Sequence, residues 1–268
     1  MNESLTVKPI GSYLYVDENG FIVNPASIEK LQPKWAPVVR KVKEGYLKHF
    51  GESLHSVYIR GTVAKGEAIE NVSDVDSFAV VTLPSEKIDG SWAKDFAKEV
   101  MAEYPFVAGV EVDSIPLQEL EKHKADQLML KTQSVCVYGE NLADKIAPMK
   151  PGKAMAQHVK YIKREILKTR EWFQGDHTDV EIRRKCTWIM KRLLRSGFEL
   201  VMERSQKYTR DLYPCYKGFA EYYPDKKDEM HQVLELAVNP AADKAEIVGI
   251  LDDIGVWVID EIKQMDFD

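Results

Sequence analysis

The first half of the chain alternates between short apolar runs and amphipathic stretches. Apolar runs bounded by Gly, Pro or charged residues predict β-strands, and apolar positions that recur every three or four residues predict helices. The predicted strands cover residues 56–60, 75–83, 107–115 and 132–138, and the predicted helices cover residues 35–49 and 92–104. A hairpin is also predicted in residues 10–24, because apolar runs at 13–16 and 21–23 flank an Asp-Glu-Asn-Gly turn.

Beyond about residue 150 the pattern changes to helical periodicity, over residues 155–173, 180–204, 226–238 and 244–262. The tyrosine-rich segment 208–224 is typical of a loop with at most a short helix. The Pro-Met-Lys-Pro-Gly segment at 148–152 is the best boundary. We therefore predict an α+β protein, in which a domain over residues 1–148 holds a small mixed β-sheet, the hairpin and a helix, and an α-helical bundle follows over residues 149–268.

Composition narrows the class of protein. Of 268 residues, 44% are hydrophobic and 30% are charged, which is typical of a globular chain. No apolar run reaches the ~18 residues of a transmembrane helix. The N-terminus lacks the basic and apolar regions of a secretory signal, and the three cysteines are too few and too far apart for a disulfide framework. We therefore expect a cytoplasmic protein without a membrane partner; its oligomeric state is left open.

Charge is unevenly distributed along the chain. The net charge is −6, yet residues 148–217 hold 17 Lys and Arg against 8 Asp and Glu. Such asymmetry indicates either a site for an anionic ligand or a solvated basic helix face. The predicted helix over 180–204 concentrates these cations, which could meet a triphosphate or RNA; they are Arg183, Arg184, Lys185, Lys191, Arg192 and Arg195.

One stretch carries candidate chemistry. A predicted strand runs into Gly61 and Thr62, and after a gap of eleven residues Asp74 and Asp76 open the next strand. Strand side chains alternate faces, so both aspartates point the same way, about 6–7 Å apart. Two carboxylates that close together favour a divalent cation between them. The Gly-Thr corner, the N–H groups of a following short helix and Lys65 together suit a phosphate group.

These residues resemble the core of the DNA polymerase β-type nucleotidyltransferase superfamily, and its small bacterial members such as aminoglycoside nucleotidyltransferases. The resemblance covers about residues 50–145 and rests on residues 58–66 and 73–76, with Thr62 and Lys65 where Ser and Arg are commoner. It implies that Gly61, Thr62, Lys65 and Ser73 bind the nucleotide and that Asp74 and Asp76 hold metal. A third carboxylate is expected on a later strand, where Glu111 and Asp113 share one face. The family pattern favours Glu111 as the third catalytic acid, and either residue could be a metal ligand.

The resemblance implies a nucleotidyltransferase that depends on Mg²⁺ or Mn²⁺. Such an enzyme would move a nucleoside monophosphate, AMP from ATP, to a hydroxyl of an acceptor, and a small molecule is the favoured acceptor. Two alternatives stay open. The chain could be a regulator or antitoxin that adenylylates a protein partner, or a nucleotide- or RNA-binding module without turnover. The sequence identifies neither the acceptor nor the preferred nucleotide.

Overall fold

The computed structural model describes residues 7–265, which form two compact units. The sheet unit is Phe21–Met149, and the helical unit combines the described parts of Met1–Gly20 and Lys150–Asp268. The sheet unit ends at residue 149, within the Pro-Met-Lys-Pro-Gly segment. The described residues before residue 21 group with the helical unit by their contacts. The boundaries of the two domains stay a prediction.

Four strands form the mixed sheet of the sheet unit. They are β1 (Leu54–Arg60), β2 (Val75–Val81), β3 (Val110–Pro116) and β4 (Ser134–Gly139). Their order in the sheet is β3-β2-β1-β4, in which β2 and β3 are parallel and the other two pairs are antiparallel. All four predicted strands are therefore present, and the predicted class, a small mixed sheet followed by helices, is confirmed.

Five helices accompany the sheet: α1 (Ala36–Phe50), α2 (Gly61–Lys65), α3 (Trp92–Glu103), α4 (Leu117–Leu120) and α5 (Lys124–Gln133). The helices α1 and α3 were expected from their periodicity, whereas α4 and α5 were not. Side chains of α1 and α3 pack with alternate strand residues such as Val57, Ile59 and Ala79 in the main apolar cluster. A smaller cluster around Tyr58, Phe78 and Val80 covers part of the opposite face. Polar side chains occupy the rest of that face.

The helical unit contains seven helices within the described residues: α6 (Val159–Phe173), α7 (Asp179–Glu199), α8 (Met202–Ser205), α9 (Leu212–Tyr222), α10 (Lys227–Val238), α11 (Lys244–Asp252) and α12 (Ile254–Gln264). The long helix α7 begins at a capping box, in which Thr178 and Glu181 satisfy each other's backbone N–H groups. It packs against α6, α9, α10 and α12. Its buried residues, among them Ile189, Leu193 and Phe198, form the centre of this unit.

Three segments of the helical unit differ from their predictions. The segment 208–224 is not a loop, since it contains the eleven-residue helix α9; Pro214 lies in the first turn of α9, where a missing N–H group costs nothing. The predicted helix over 244–262 is two helices that separate at Asp253, whose ψ of −93° is not helical. The helix predicted over 180–204 ends at Glu199, and α8 follows as a separate turn.

The predicted N-terminal hairpin forms only in part. Its turn forms, because the Gly20 N–H group donates to the Asp17 carbonyl at 2.9 Å. On either side of the turn, Val16 and Ile22 are isolated bridge residues rather than parts of regular strands. The N–H group of Leu14 donates to the carbonyl of Tyr208, and that of Ile22 donates to the carbonyl of Met149, each at 2.8 Å. Both arms therefore bond to residues far along the chain, which a local pattern does not reveal.

None of the helices within residues 7–265 combines the length and the apolar character that crossing a membrane requires.

A buried tyrosine of α1 attaches the edge strand β3 to the core. The hydroxyl of Tyr46 donates to the carbonyl of Asp113 at 3.1 Å and accepts from the Asp113 N–H group at 3.0 Å. It also lies 3.1 Å from the Ser77 hydroxyl, which donates to the Glu111 carbonyl at 2.6 Å. Burial of the phenol, foremost, raises the pKa of Tyr46. The backbone of β3 on both sides of Val112 is thus fixed from behind the sheet.

We expect Tyr46→Phe to lower the free energy of unfolding by about 1–3 kcal/mol, because buried polar groups of β3 lose their partner. Urea unfolding followed by circular dichroism measures this change. Tyr138→Phe is the matched control, since Tyr138 lies on β4 of the same sheet and is 38% exposed. The control is expected to shift stability by less than about 0.5 kcal/mol. Equal midpoints for the two variants would show that the Tyr46 hydroxyl does not hold β3.

Candidate functional site

Charged side chains from three neighbouring strands form one row across the sheet. Glu111 on β3 pairs with Asp76 on β2, and Asp76 pairs with Arg60 on β1. Residues that pair across a ladder point to the same face, so the three side chains lie side by side. A guanidinium nitrogen of Arg60 lies 2.7 Å from a carboxylate oxygen of Glu111 and 3.5 Å from one of Asp76. We call these three residues the charged row.

The carboxylates of the charged row crowd each other. Burial, foremost, and a hydrogen bond with Glu111 raise the pKa of Asp76 well above its usual range, and the negative charges of Asp74 and Glu111 add to this effect. Arg60 acts in the opposite direction. Asp74 is exposed and comes just before β2. The site therefore concentrates negative charge that one guanidinium offsets only in part.

Gly61 is required by the position of Asp76. Its φ of +73° lies in the left-handed region, and a Cβ atom built on it would lie 2.5 Å from the Oδ2 atom of Asp76. Because glycine has no side chain, the carboxylate of Asp76 can pack directly against the start of α2. The glycine that was expected to let a ligand approach thus also makes room for one of the acids.

The predicted nucleotide-binding side chains around α2 are brought together only in part. The Thr62 hydroxyl donates to the hydroxyl of Ser73 at 3.1 Å, and Ser73, which is buried, accepts from the N–H group of Ile69 at 2.9 Å. These bonds join the start of α2 to the residue before Asp74. Lys65 is the last residue of α2 and is half-buried. Within residues 7–265, none of the ion pairs joins Lys65 to the acids of the site.

The structure separates the two candidates for the third acid. Glu111 lies in the charged row with its side chain 49% exposed. Asp113 pairs with the buried Phe78, two positions further along the strand. Its carboxylate accepts from the N–H group of the neighbouring Ser114 at 2.7 Å. Asp113 therefore faces the same side of the sheet but lies outside the charged row.

Arg60 belongs to the charged row but is not predicted from the sequence. A signal for it exists, since Arg60 is a charged residue that ends a strand of buried residues and directly precedes Gly61. Without knowledge of the strand pairing, however, an arginine at the end of a strand is typical of a side chain that points into solvent. Only the register of β1 against β2 shows that it points to Asp76 and Glu111.

The donor set of the site suits Mg²⁺. Within residues 7–265 no three His, Cys, Asp or Glu side chains converge closely enough to enclose a metal ion. Magnesium does not need such a cage, because it is usually bound by one or two carboxylates together with water and the phosphates of a substrate. Asp76 and Glu111 supply two adjacent carboxylates, and Asp74 lies two residues from Asp76. The residues therefore fit a cation that arrives with a phosphate ligand.

The basic residues predicted on the helix of 180–204 lie on α7 of the helical unit. Burial, foremost, and the neighbouring charge of Arg195 lower the pKa of Lys191. Burial and the charge of Arg210 lower the pKa of Arg195, whose Nε–H group donates to the Arg210 carbonyl at 3.1 Å. Across the described part of the chain, neither Lys191 nor Arg195 forms an ion pair with a carboxylate. A role of this basic segment in binding a triphosphate stays a prediction.

Comparisons with known proteins give a likeness of fold. No protein-family model matches the sequence, and no curated protein matches it significantly. Among solved structures, the fold is similar to the crystal structure of spectinomycin adenyltransferase AAD(9) from Enterococcus faecialis with ATP and spectinomycin. The two chains are 13% identical with a TM-score of 0.49, over 85% of this chain and 99% of that chain.

We expect Gly61→Ala to disrupt the charged row. The added methyl group would meet the carboxylate of Asp76, and the left-handed backbone costs an alanine about 1–2 kcal/mol. The free energy of unfolding, measured by urea denaturation, should therefore fall by about 1–2 kcal/mol. Gly90→Ala is the matched control, because a Cβ atom there meets nothing within 4 Å. Equal stability of Gly61→Ala and Gly90→Ala would contradict the close fit between Gly61 and Asp76.

Proposed function

We propose that this chain is a Mg²⁺-dependent nucleotidyltransferase that moves AMP from ATP to a hydroxyl of a small-molecule acceptor. The observation that supports this most strongly is the charged row beside Gly61. The row combines two adjacent carboxylates and a guanidinium, and the backbone of Gly61 lies directly against the carboxylate of Asp76. These side chains are partly exposed. Carboxylates next to a helix that begins with glycine are suited to bind a phosphate group together with its cation. ATP is the nucleotide that the sequence resemblance implies.

In this proposal, Asp74, Asp76 and Glu111 are the residues that would hold the cation. When bound there, Mg²⁺ would neutralise charge on the phosphates and on the leaving group. Gly61 leaves space for the nucleotide's phosphates beside α2, and the Thr62 hydroxyl, which donates to Ser73 in this structure, would switch to a phosphate oxygen. Ser73 positions Thr62 through their hydrogen bond. Lys65, at the end of α2, adds positive charge near this corner.

The proposed reaction is an in-line displacement at the α-phosphorus of ATP. The acceptor's oxygen forms a new bond to this phosphorus, and the bond from the phosphorus to the oxygen that bridges to the β-phosphate breaks. Pyrophosphate leaves with the electron pair of that bond. Glu111 takes the proton of the acceptor hydroxyl, and its half-exposed side chain is accessible for this step. Arg60 orients Glu111 through their ion pair at 2.7 Å.

We expect MgATP to bind to the wild type and not measurably to Asp76→Asn, because this change removes a charge at the centre of the row. Isothermal titration with ATP, CTP, GTP and UTP, with and without Mg²⁺, measures both the nucleotide preference and the need for metal. Addition of EDTA should abolish binding. Asp95→Asn, an exposed change on α3, is the control. Equal MgATP affinity in Asp76→Asn and the wild type would refute the proposed site.

Glu111→Gln and Asp113→Asn distinguish the two candidate acids. They change neighbouring positions on the same face of one strand, so each is a control for the other. We expect Glu111→Gln to reduce transfer of α-phosphate label from ATP to a panel of hydroxyl-bearing small molecules by about 10²–10⁴-fold, as is typical for a lost general base. Asp113→Asn should stay within about threefold of the wild type. The reverse order would make Asp113 the third acid.

A further inference from the structure

The seam between α6 and α7 carries an unusual surface. The two helices are joined by residues 174–178 and run antiparallel, since Arg192 pairs with Glu165 at 2.8 Å and the Lys185 ammonium lies 5.8 Å from the Trp172 ring centre. Cations and aromatic rings line the seam on both helices. We call this set the α6–α7 stripe; it consists of Tyr161, Arg164, Lys168, Trp172, Lys185, Trp188 and Arg192.

Aromatic rings, rather than carboxylates, hold most of these cations. The Lys185 ammonium lies 4.3 Å and the Arg192 guanidinium 4.6 Å from the centre of the Trp188 ring. In the same way, the Arg164 guanidinium lies 5.0 Å from the centre of the Tyr161 ring. A neutral ring positions a cation without cancelling its charge. The charges of Lys185 and Arg164 therefore remain available to a ligand.

Most cations of the stripe have no carboxylate partner in an ion pair within the described residues. Glu165 is 9% exposed and forms its ion pair with Arg192. Among the ion pairs of residues 7–265, none involves Arg164, Lys168 or Lys185. The stripe lies within the basic segment of a chain whose net charge is −6. Its positive charge is thus local, and it favours a polyanion that contacts this part of the surface alone.

The exposed rings indicate what kind of polyanion fits. Trp188 is 38% exposed and Tyr161 is 46% exposed. From Tyr161 to Trp172, the stripe spans about 16 Å at 1.5 Å per helical residue. A single nucleic-acid strand presents phosphates and unstacked bases together, and it binds to grooves that combine cations with aromatic side chains. A duplex hides its base faces, and an inorganic polyphosphate has none.

We propose that the α6–α7 stripe binds single-stranded nucleic acid, independently of the transfer site on the sheet unit. The cations would contact the backbone phosphates, and Trp188 and Tyr161 would contact bases. This role requires no turnover, so it can hold whether or not the chain transfers nucleotides.

Fluorescence anisotropy with a labelled twelve-nucleotide single-stranded RNA tests this proposal on the full chain. We expect the logarithm of the binding constant to fall linearly with the logarithm of salt concentration, by about 0.7 for each phosphate contacted. The double variant Arg164→Glu/Lys185→Glu should weaken binding at least tenfold. Trp188→Ala should weaken it about tenfold through lost stacking, whereas Trp188→Phe, which keeps a ring, should retain most of the affinity.

Lys163→Glu is the matched control for charge. Lys163 is an exposed residue of α6, and at 100° per residue it lies about 160° around the helix from Tyr161, away from the seam. It should bind the RNA within about twofold of the wild type. Circular dichroism confirms that each variant is folded before binding is measured. No binding at 50 mM salt, equal loss in Lys163→Glu, or equal affinity for a duplex or for polyphosphate would each overturn the proposal.

Discussion

Carboxylates on neighbouring strands repel each other, and the candidate site depends on how the sheet keeps two of them together. The parallel pairing of β2 with β3 places Glu111 beside Asp76, and the antiparallel pairing of β1 with β2 places Arg60 on the other side of Asp76. A guanidinium that touches both acids offsets part of the repulsion. Burial, foremost, and the neighbouring acids still raise the pKa of Asp76. Two further residues of the sheet unit support this arrangement. Gly61 leaves space for the carboxylate of Asp76, and Tyr46 fixes the strand that carries Glu111.

The two units differ in how they organise charge. In the sheet unit, acids are concentrated at one end of a sheet face, and their excess negative charge favours a cation that brings phosphates with it. In the helical unit, cations on α6 and α7 are supported by the rings of Tyr161 and Trp188 and stay largely without carboxylate partners within the described residues. The uneven distribution of charge along the sequence therefore corresponds to two chemically distinct surfaces, for which we propose two distinct ligands.

Much of this could be predicted from the sequence where the information is local. Apolar runs between Gly, Pro and charged residues locate the strands, and the spacing of Asp74 and Asp76 after Gly61 predicts an acidic site at the start of the second strand. Register is not local, so the sequence could neither add Arg60 to the site nor choose between Glu111 and Asp113 by geometry. The N-terminal hairpin lacks the expected regular strands for the same reason, because Leu14 and Ile22 form hydrogen bonds with residues more than a hundred positions away. Helix α9 is not predicted because its Pro and Tyr residues are typical of a loop. Cys215 and Phe219, which are buried one turn apart, have the spacing of a helix.

The bond between Ile22 and Met149 also bears on how the chain is assembled during synthesis. It brings the two ends of the sheet unit to one place, so this unit is an insertion within the sequence of the helical unit. All residues of the sheet unit have been translated once residue 149 has left the ribosome. The sheet unit can therefore fold before the helices that follow it are translated. The segment around Ser12 and Tyr13 can form its hydrogen bonds only later, because its partners Asp211 and Pro214 lie about 200 residues further along the chain. The helical unit therefore begins first in the sequence and is the last to be completed.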